Sequence, residues 1–330
     1  MALSSLAGCT DVLNGGGSGG MTAEDTVPAQ AGAVVSIDVE AMLNDDDLKD
    51  IANTGLDQLR ELPGENDVPE DVDSAIETAQ DESDLDPTGF NEGLLFMDVA
   101  ESGTDEDYAG IVMETDWSED ELIDFLESEN DGNLEESEYG GKTIYTGEND
   151  EGGLGVLADG RYVIGPRNVL EDTIDVANGD GDAISDELSS SYDSATDGHL
   201  EFASVVPDDA FTEGDFEDVD PENFQSVKYM SGSLYKNGSS YGVEMNMRTD
   251  SEETASALQE DIESLVNVIT MTEDVSGELE AALDDIEYTT DGQTLSMSYE
   301  EDVEQIKTYV EEYATTLLFL LAFSGAGTTI

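Results

Sequence analysis

The chain has 330 residues, of which 82 are Asp or Glu and nine are Lys or Arg, for a formal net charge of −73. That balance excludes nucleic acid and anionic membrane surfaces as electrostatic partners, since either needs a basic patch to displace counterions. Disorder is excluded as well, because hydrophobic residues make up 38% and fall into periodic runs such as EGLLFMDV and GRYVIG, while the single cysteine rules out internal disulfides and thiolate metal sites.

At the N-terminus, Leu6-Ala7-Gly8-Cys9 is followed by NGGGSGG from Asn14 to Gly20, which reads as a flexible tether. The four residues resemble the lipobox of exported lipoproteins, in which an apolar and two small residues precede a cysteine that is lipidated and becomes the mature N-terminus. The resemblance implies a lipid anchor on Cys9 and a place on the cell surface, at the outer face of the cytoplasmic membrane. Two acyl chains suffice for stable attachment where one is marginal. Met1 to Gly8 depart from the pattern. They carry no basic residue and are shorter than the basic region plus about 7–15 apolar residues of a signal peptide. Lipidation therefore requires a start upstream of Met1; the other reading of Cys9 is a free thiol.

The acidity of the whole chain resembles that of proteins from extremely halophilic archaea. At 1 M salt the screening length falls to about 3 Å, which removes most of the self-repulsion. The two resemblances together point to a haloarchaeal lipoprotein and supply a location rather than a mechanism.

The body divides by composition. Residues 1–25 are lipobox and tether, 26–206 a first α+β domain, 207–224 an acidic linker, and 225–330 a second α+β domain ending in an apolar helix. AGAVVSIDVEAML reads as a strand entering a helix around Asp46 to Leu62, and a second helix is expected near Asp73 to Gln80. Leu94 to Val99 and Tyr108 to Thr115 form a hairpin, followed by a helix from Ser118 to about Ser128 and the strand GKTIYTG. Ser118 and Glu121 make a capping box, with Trp117 and Leu122 as a hydrophobic staple, so Trp117 has a structural role.

LGVLADGRYVIG reads as one strand, followed by a helix capped by Asn168 and Glu171, the loop NGDGD, a helix from Ser185, and the strand GHLEFASVV. Val227 to Tyr235 and Tyr241 to Thr249 form a hairpin whose Asn237-Gly238 suits a type I′ turn. A helix capped by Asp250 follows, with Ala255, Leu258, Ile262, Leu265, Val266 and Ile269 on one face. A further helix near Gly277 to Ile286 leads to the strand GQTLSMSY. The matching segments GIVMETDWSEDE and GVEMNMRTDSEE suggest a duplicated hairpin, helix and strand unit. The expected fold is α+β, with antiparallel sheets and helices on one face. The apolar run from Tyr313 to Phe323 is shorter than the roughly 20 residues of a membrane span and reads as a core or docking helix; an anchor or a ligand-lining helix is the alternative.

Sites are sparse. His199 reads as a turn residue. Asn178, Asp180, Asp182 and Asp186 place oxygens at alternate positions, as hard-cation loops do, but Ala183 and Ser189 stand where an EF-hand has its glycine and final acid. Asn237 opens the sequon Asn-Gly-Ser. The leading expectation is a non-enzymatic, surface-anchored lipoprotein with a binding or envelope role. It needs no cofactor beyond weakly held cations, and its partners are the membrane through the lipid and an unknown protein or small ligand. The alternative is a carrier of an apolar ligand, and the third reading is a hydrolase working through carboxylates and a metal.

Overall fold

The structure, a computed structural model, describes residues 21–60, 68–83, 85–99, 108–129, 134–147, 152–208, 210–211, 221–270 and 277–311. The lipobox residues Leu6, Ala7, Gly8 and Cys9, the tether and the apolar run from Tyr313 lie outside them. No described helix is long and apolar enough to cross a membrane.

The chain begins with α1 (Ala23–Thr26), β1 (Ala33–Asp38), α2 (Val39–Asn44), α3 (Asp46–Arg60) and α4 (Val72–Ser83). The expected hairpin is β2 (Phe90–Met97) and β3 (Ala109–Thr115), followed by α5 (Glu119–Glu129). Four strands then run consecutively, β4 (Glu135–Tyr139), β5 (Lys142–Thr146), β6 (Gly153–Ala158) and β7 (Arg161–Gly165). After α6 (Arg167–Asn178), α7 (Asp186–Tyr192), β8 (Leu200–Val205) and α8 (Pro221–Gln225) comes a second hairpin, β9 (Tyr229–Asn237) and β10 (Ser240–Arg248). The described chain closes with α9 (Glu252–Thr270), α10 (Gly277–Asp284), β11 (Glu287–Asp291), β12 (Thr294–Asp302) and a last helix, α11, over 303–311.

All twelve strands join one antiparallel sheet in the order β11-β12-β10-β9-β8-β1-β2-β3-β7-β6-β5-β4, so the class is α+β. At its centre β1 pairs with β8, Ile37 opposite Leu200 and Ala33 opposite Ser204. The acidic stretch 207–224 connects β8 to β9, which pair directly from Leu200↔Leu234 to Val205↔Tyr229. The sheet therefore runs unbroken across that stretch.

The two halves bury their faces differently. In β3, Val112 points into a core with Val34, Phe96, Val163, Leu170 and Ile174, whereas its neighbours Ile111 and Met113 pack on the other side with Leu122, Phe125 and Tyr162. Successive strand residues face opposite ways, so α6 and α5 lie on opposite faces of this half. The continuous apolar run Ile111-Val112-Met113 is the sequence mark of a strand buried on both sides. In the second half, α8 and α9 cover one face, packing Phe224 and Leu258 against Met230, Met245, Met247 and Leu295. The opposite face carries Ser231, Asn246 and Ser296.

Local chemistry corrects several expected boundaries. LGVLADGRYVIG is two strands, β6 and β7, turned at Asp159-Gly160, where Gly160 takes φ 71°. The second hairpin turns one residue later than expected: Asn237 pairs with Ser240, and Gly238, at φ 65°, is the first turn residue. Asn237 Nδ2 donates to both carboxylate oxygens of Glu300 at 3.1 Å, a partner for the side chain at the end of its strand. Helix α9 is capped by Ser251 rather than Asp250, through Thr254 N–H to Ser251 Oγ at 3.2 Å. Asn168 lies inside α6, whose N-cap is Pro166, and Arg167 pairs with Glu171 at 2.8 Å. The Ser118 capping box forms as expected, Ser118 N–H to Glu121 Oε2 at 2.8 Å and Glu121 N–H to Ser118 Oγ at 3.3 Å.

Candidate functional site

With 82 carboxylates against nine cations, almost any exposed Lys or Arg finds an acid. Arg161 meets Glu114 at 2.9 Å, Lys228 meets Asp208 at 2.9 Å, Lys307 meets Asp50 at 3.0 Å and Lys49 meets Asp73 at 3.8 Å. Arg60 pairs with Asp57 and Arg167 with Glu171. Lys142 Nζ donates to the Leu157 carbonyl at 2.6 Å, and Lys236 is shared between Asp45 and Asp47 at 2.6 and 2.7 Å. Arg248 differs. Among the described residues its half-buried guanidinium has no ion pair or hydrogen bond and lies over the Tyr229 ring, 5.9 Å from the centroid.

Arg248 lines a pocket of about 280 Å³ that contains no carboxylate. The sheet supplies its floor. Tyr229 and Ser231 project from one face of β9, and their directly paired partners Arg248 and Asn246 project from β10. Thr294 of β12 extends the first of these rows and Gln293 stands beside it. Helix α7 brings Ser190 and Ser191 over this floor, with Ser194 just beyond its end. The serine hydroxyls and the amides of Asn246 and Gln293 can each donate and accept.

Part of that capacity is used internally. Ser194 Oγ donates to the Ser191 carbonyl at 2.7 Å and lies 3.4 Å from Ser231 Oγ. Asn246 Nδ2 donates to Glu244 at 2.8 Å, its Oδ1 accepts from Ser296 at 2.5 Å, and Gln293 Nε2 donates to the Asp250 carbonyl at 2.6 Å. Ser191 Oγ is buried without a partner, as are Thr173, Ser233 and Tyr288 elsewhere among the described residues. Arg248 thus leaves its donors unused in the pocket.

The other polar cluster is closed. Asp45, 7% exposed, accepts from Lys236 Nζ at 2.6 Å and Tyr241 Oη at 2.6 Å, and lies 3.1 Å from His199 Nε2. It also caps α3 through the N–H groups of Asp47 and Leu48 at 3.0 and 3.3 Å. Burial pushes the Asp45 pKa up, but the bonds from Lys236, Tyr241, His199 and Leu48 outweigh it and hold the carboxyl well below the usual range. The same contacts to Asp45 and Asp47 push the Lys236 pKa up, and burial followed by the Asp45 bond pushes Tyr241 up. Asp45, Lys236 and Tyr241 are each held in their ordinary protonation state, as in a clasp between α3 and the ends of β8, β9 and β10. His199, read as a turn residue, stands where the chain enters β8 and faces this clasp.

The loop from Asn178 serves the backbone. Gly179, at φ 76°, ends α6, and the N–H groups of Asp180 and Gly181 both bond the Asp175 carbonyl, at 2.8 and 2.9 Å. Asn178 Nδ2 donates to the Gly140 carbonyl at 2.9 Å, the Asp182 carbonyl accepts from Ala29 N–H at 3.0 Å, and Asp186 opens α7. No group of three or more His, Cys, Asp or Glu among the described residues is placed to hold a metal ion. Asn237 is exposed in its strand-end pairing with Glu300. Sequence reasoning missed the Arg248 pocket. Its traces are the serine run Ser189-Ser190-Ser191 and the alternation Glu244, Asn246, Arg248 within SYGVEMNMRT.

No protein-family model and no curated protein matches the chain. Among solved structures it is similar to TP0453 in crystal form III, at 8% identity and TM-score 0.44 over 89% of this chain and 100% of that one. Crystal form I matches at 8% identity and TM-score 0.40 over 89% and 98%, and form IV at 9% and 0.43 over 87% and 96%.

Proposed function

We propose that this chain is a non-enzymatic binding protein of a high-salt cell surface, held by a lipid on Cys9 and presenting the Arg248 pocket to the medium. The observation that carries the reading is an arginine with no ion pair or hydrogen bond among the described residues, in a pocket without an acid, on a chain where carboxylates outnumber cations ninefold (82 against nine). Desolvating a guanidinium and leaving it unpaired costs free energy, and a ligand supplies the missing partner. The lipobox letters and the Gly/Ser tether support the location, and the acidic composition supports the salt.

The duplication suggested by the sequence is proposed on the same footing. Strand order supports it: β1-β2-β3-β7-β6 on one side of the β1·β8 pair is matched by β8-β9-β10-β12-β11 on the other. The two resembling segments fall at the same step, β3 into α5 and β10 into α9.

Two experiments test the proposal. Intact mass of the native protein from its own membranes should show a chain beginning at Cys9 with added lipid, and Cys9→Ser should release an unmodified protein; an unmodified wild type sinks the anchor. A thermal-shift panel of small polar solutes in concentrated KCl should contain one that raises the melting temperature of the wild type and not of Arg248→Gln. A panel without such a solute sinks the binding role.

A further inference from the structure

Resting on the binding-protein reading, we infer that the pocket takes a small hydroxylated oxyanion, of the class of sugar acids and sugar phosphates. Its anionic head would lie on Arg248 and its hydroxyls over Ser194, Ser231 and Asn246. A guanidinium presents a planar fork of donors that matches a carboxylate or phosphate in bidentate fashion, and that of Arg248 lies 5.9 Å from the Tyr229 ring centroid. A cationic ligand would meet Arg248 with no carboxylate in the lining to receive it. An apolar ligand would bury the serine and amide groups against nothing, which costs free energy at each. The volume, about 280 Å³, sits at the lower edge of the roughly 300–1,000 Å³ of small-molecule sites, so it suits a small molecule better than a bare ion.

The floor of the pocket matches hydroxyl groups in kind. Serine hydroxyls and side-chain amides donate and accept at once, as sugar hydroxyls do. The net charge of −73 repels an anion at low ionic strength, but at 1 M salt repulsion beyond about 3 Å is screened while a contact pair persists. A single uncompensated arginine can then decide the sign of the ligand.

Isothermal titration of the full chain in concentrated KCl tests this with glucuronate, glycerol phosphate and uncharged glucose. Heat is expected from glucuronate or glycerol phosphate and not from glucose, and whichever binds more tightly identifies the head as carboxylate or phosphate. Arg248→Gln should weaken that binding about tenfold or more. Arg248→Lys, which keeps the charge and loses the fork, should fall between the two, and it secures the test if the glutamine variant does not fold. Glucose binding as tightly as the acids, or acid binding that neither Arg248 variant weakens, overturns the inference. If none of the three binds while another solute stabilises the protein through Arg248, this ligand class falls and the binding-protein reading stands. If no solute binds at all, both fall.

Discussion

One row of directly paired residues crosses most of the sheet, and its character changes at the centre. On the first-half side it runs Gly110, Phe96 and Val34, and on the second-half side Ala203, Ser231, Asn246 and Ser296. All lie on one face, because direct partners in an antiparallel pair project the same way. Phe96 and Val34 are fully buried, and Val169 of α6 packs against Gly110 so closely that a Cβ there would stand 2.6 Å from its Cγ1. Ser231 and Asn246 are buried too, at 2% and 5% exposed, yet they face hydroxyls and amides. Asn246 donates to Glu244 and accepts from Ser296, so an apolar side chain there would leave both without that bond. Apolar packing holds the first half of the row, and a hydrogen-bonded polar surface holds the second.

The largest expected effect lies in the apolar half. Phe96→Ala removes a fully buried ring from the core and should cost about 3–5 kcal/mol, read from urea unfolding in concentrated KCl. The equivalent change across the row, Ser231→Ala, should cost under about 1 kcal/mol, since it deletes one long contact to Ser194. Equal losses would erase the contrast between the halves.

Next comes the clasp that ties α3 to the second half. Asp45→Asn removes the charge that Lys236, Tyr241 and His199 converge on and should cost about 2–3 kcal/mol at neutral pH. Folding lowers the Asp45 pKa below its ordinary 3.8. Its stabilisation is therefore complete above that pH and is lost as pH falls through the lower folded value. The deficit of Asp45→Asn relative to wild type should shrink as unfolding is measured at successively lower pH below 3.8. A deficit independent of pH would mean that the side chain acts through shape rather than charge.

Ser118→Ala should cost about 1 kcal/mol through the lost cap of α5. This cap was legible because every part of it is local: Ser118, Glu121, Trp117 and Leu122 lie within one helical turn. Most strands were legible for a similar reason, through apolar residues at strand spacing. The ones missed are β4 and β11, whose alternation is carried by acids and Thr-Tyr pairs at the sheet edges, where little is buried. The shifted cap at Ser251 and the shifted turn at Gly238 stand beside distant partners, Gln293 on the Asp250 carbonyl and Glu300 on Asn237. The candidate site lay furthest from view. Arg248 is distinguished by what it does not touch, and a missing counterion is a property of the assembled sheet that SYGVEMNMRT cannot express.

The smallest expected effect is the most discriminating. A hydroxyl engaged in a hydrogen bond stabilises the fold by at most about 1 kcal/mol, and by less where it is exposed as Ser194 is, whereas a buried one left without a partner costs desolvation and returns nothing. Ser194 and Ser191 are three residues apart in one wall, and the structure assigns them opposite conditions. Ser194 Oγ donates to the Ser191 carbonyl, and Ser191 Oγ is unpartnered. Ser194→Ala should therefore lower the melting temperature, while Ser191→Ala should leave it unchanged or raise it. If both variants lose stability alike, Ser191 is bonded within the fold and the polar face is ordinary scaffolding. If Ser191→Ala is neutral in the ligand-free protein, that hydroxyl makes no bond within the fold, the condition it shares with Thr173, Ser233 and Tyr288.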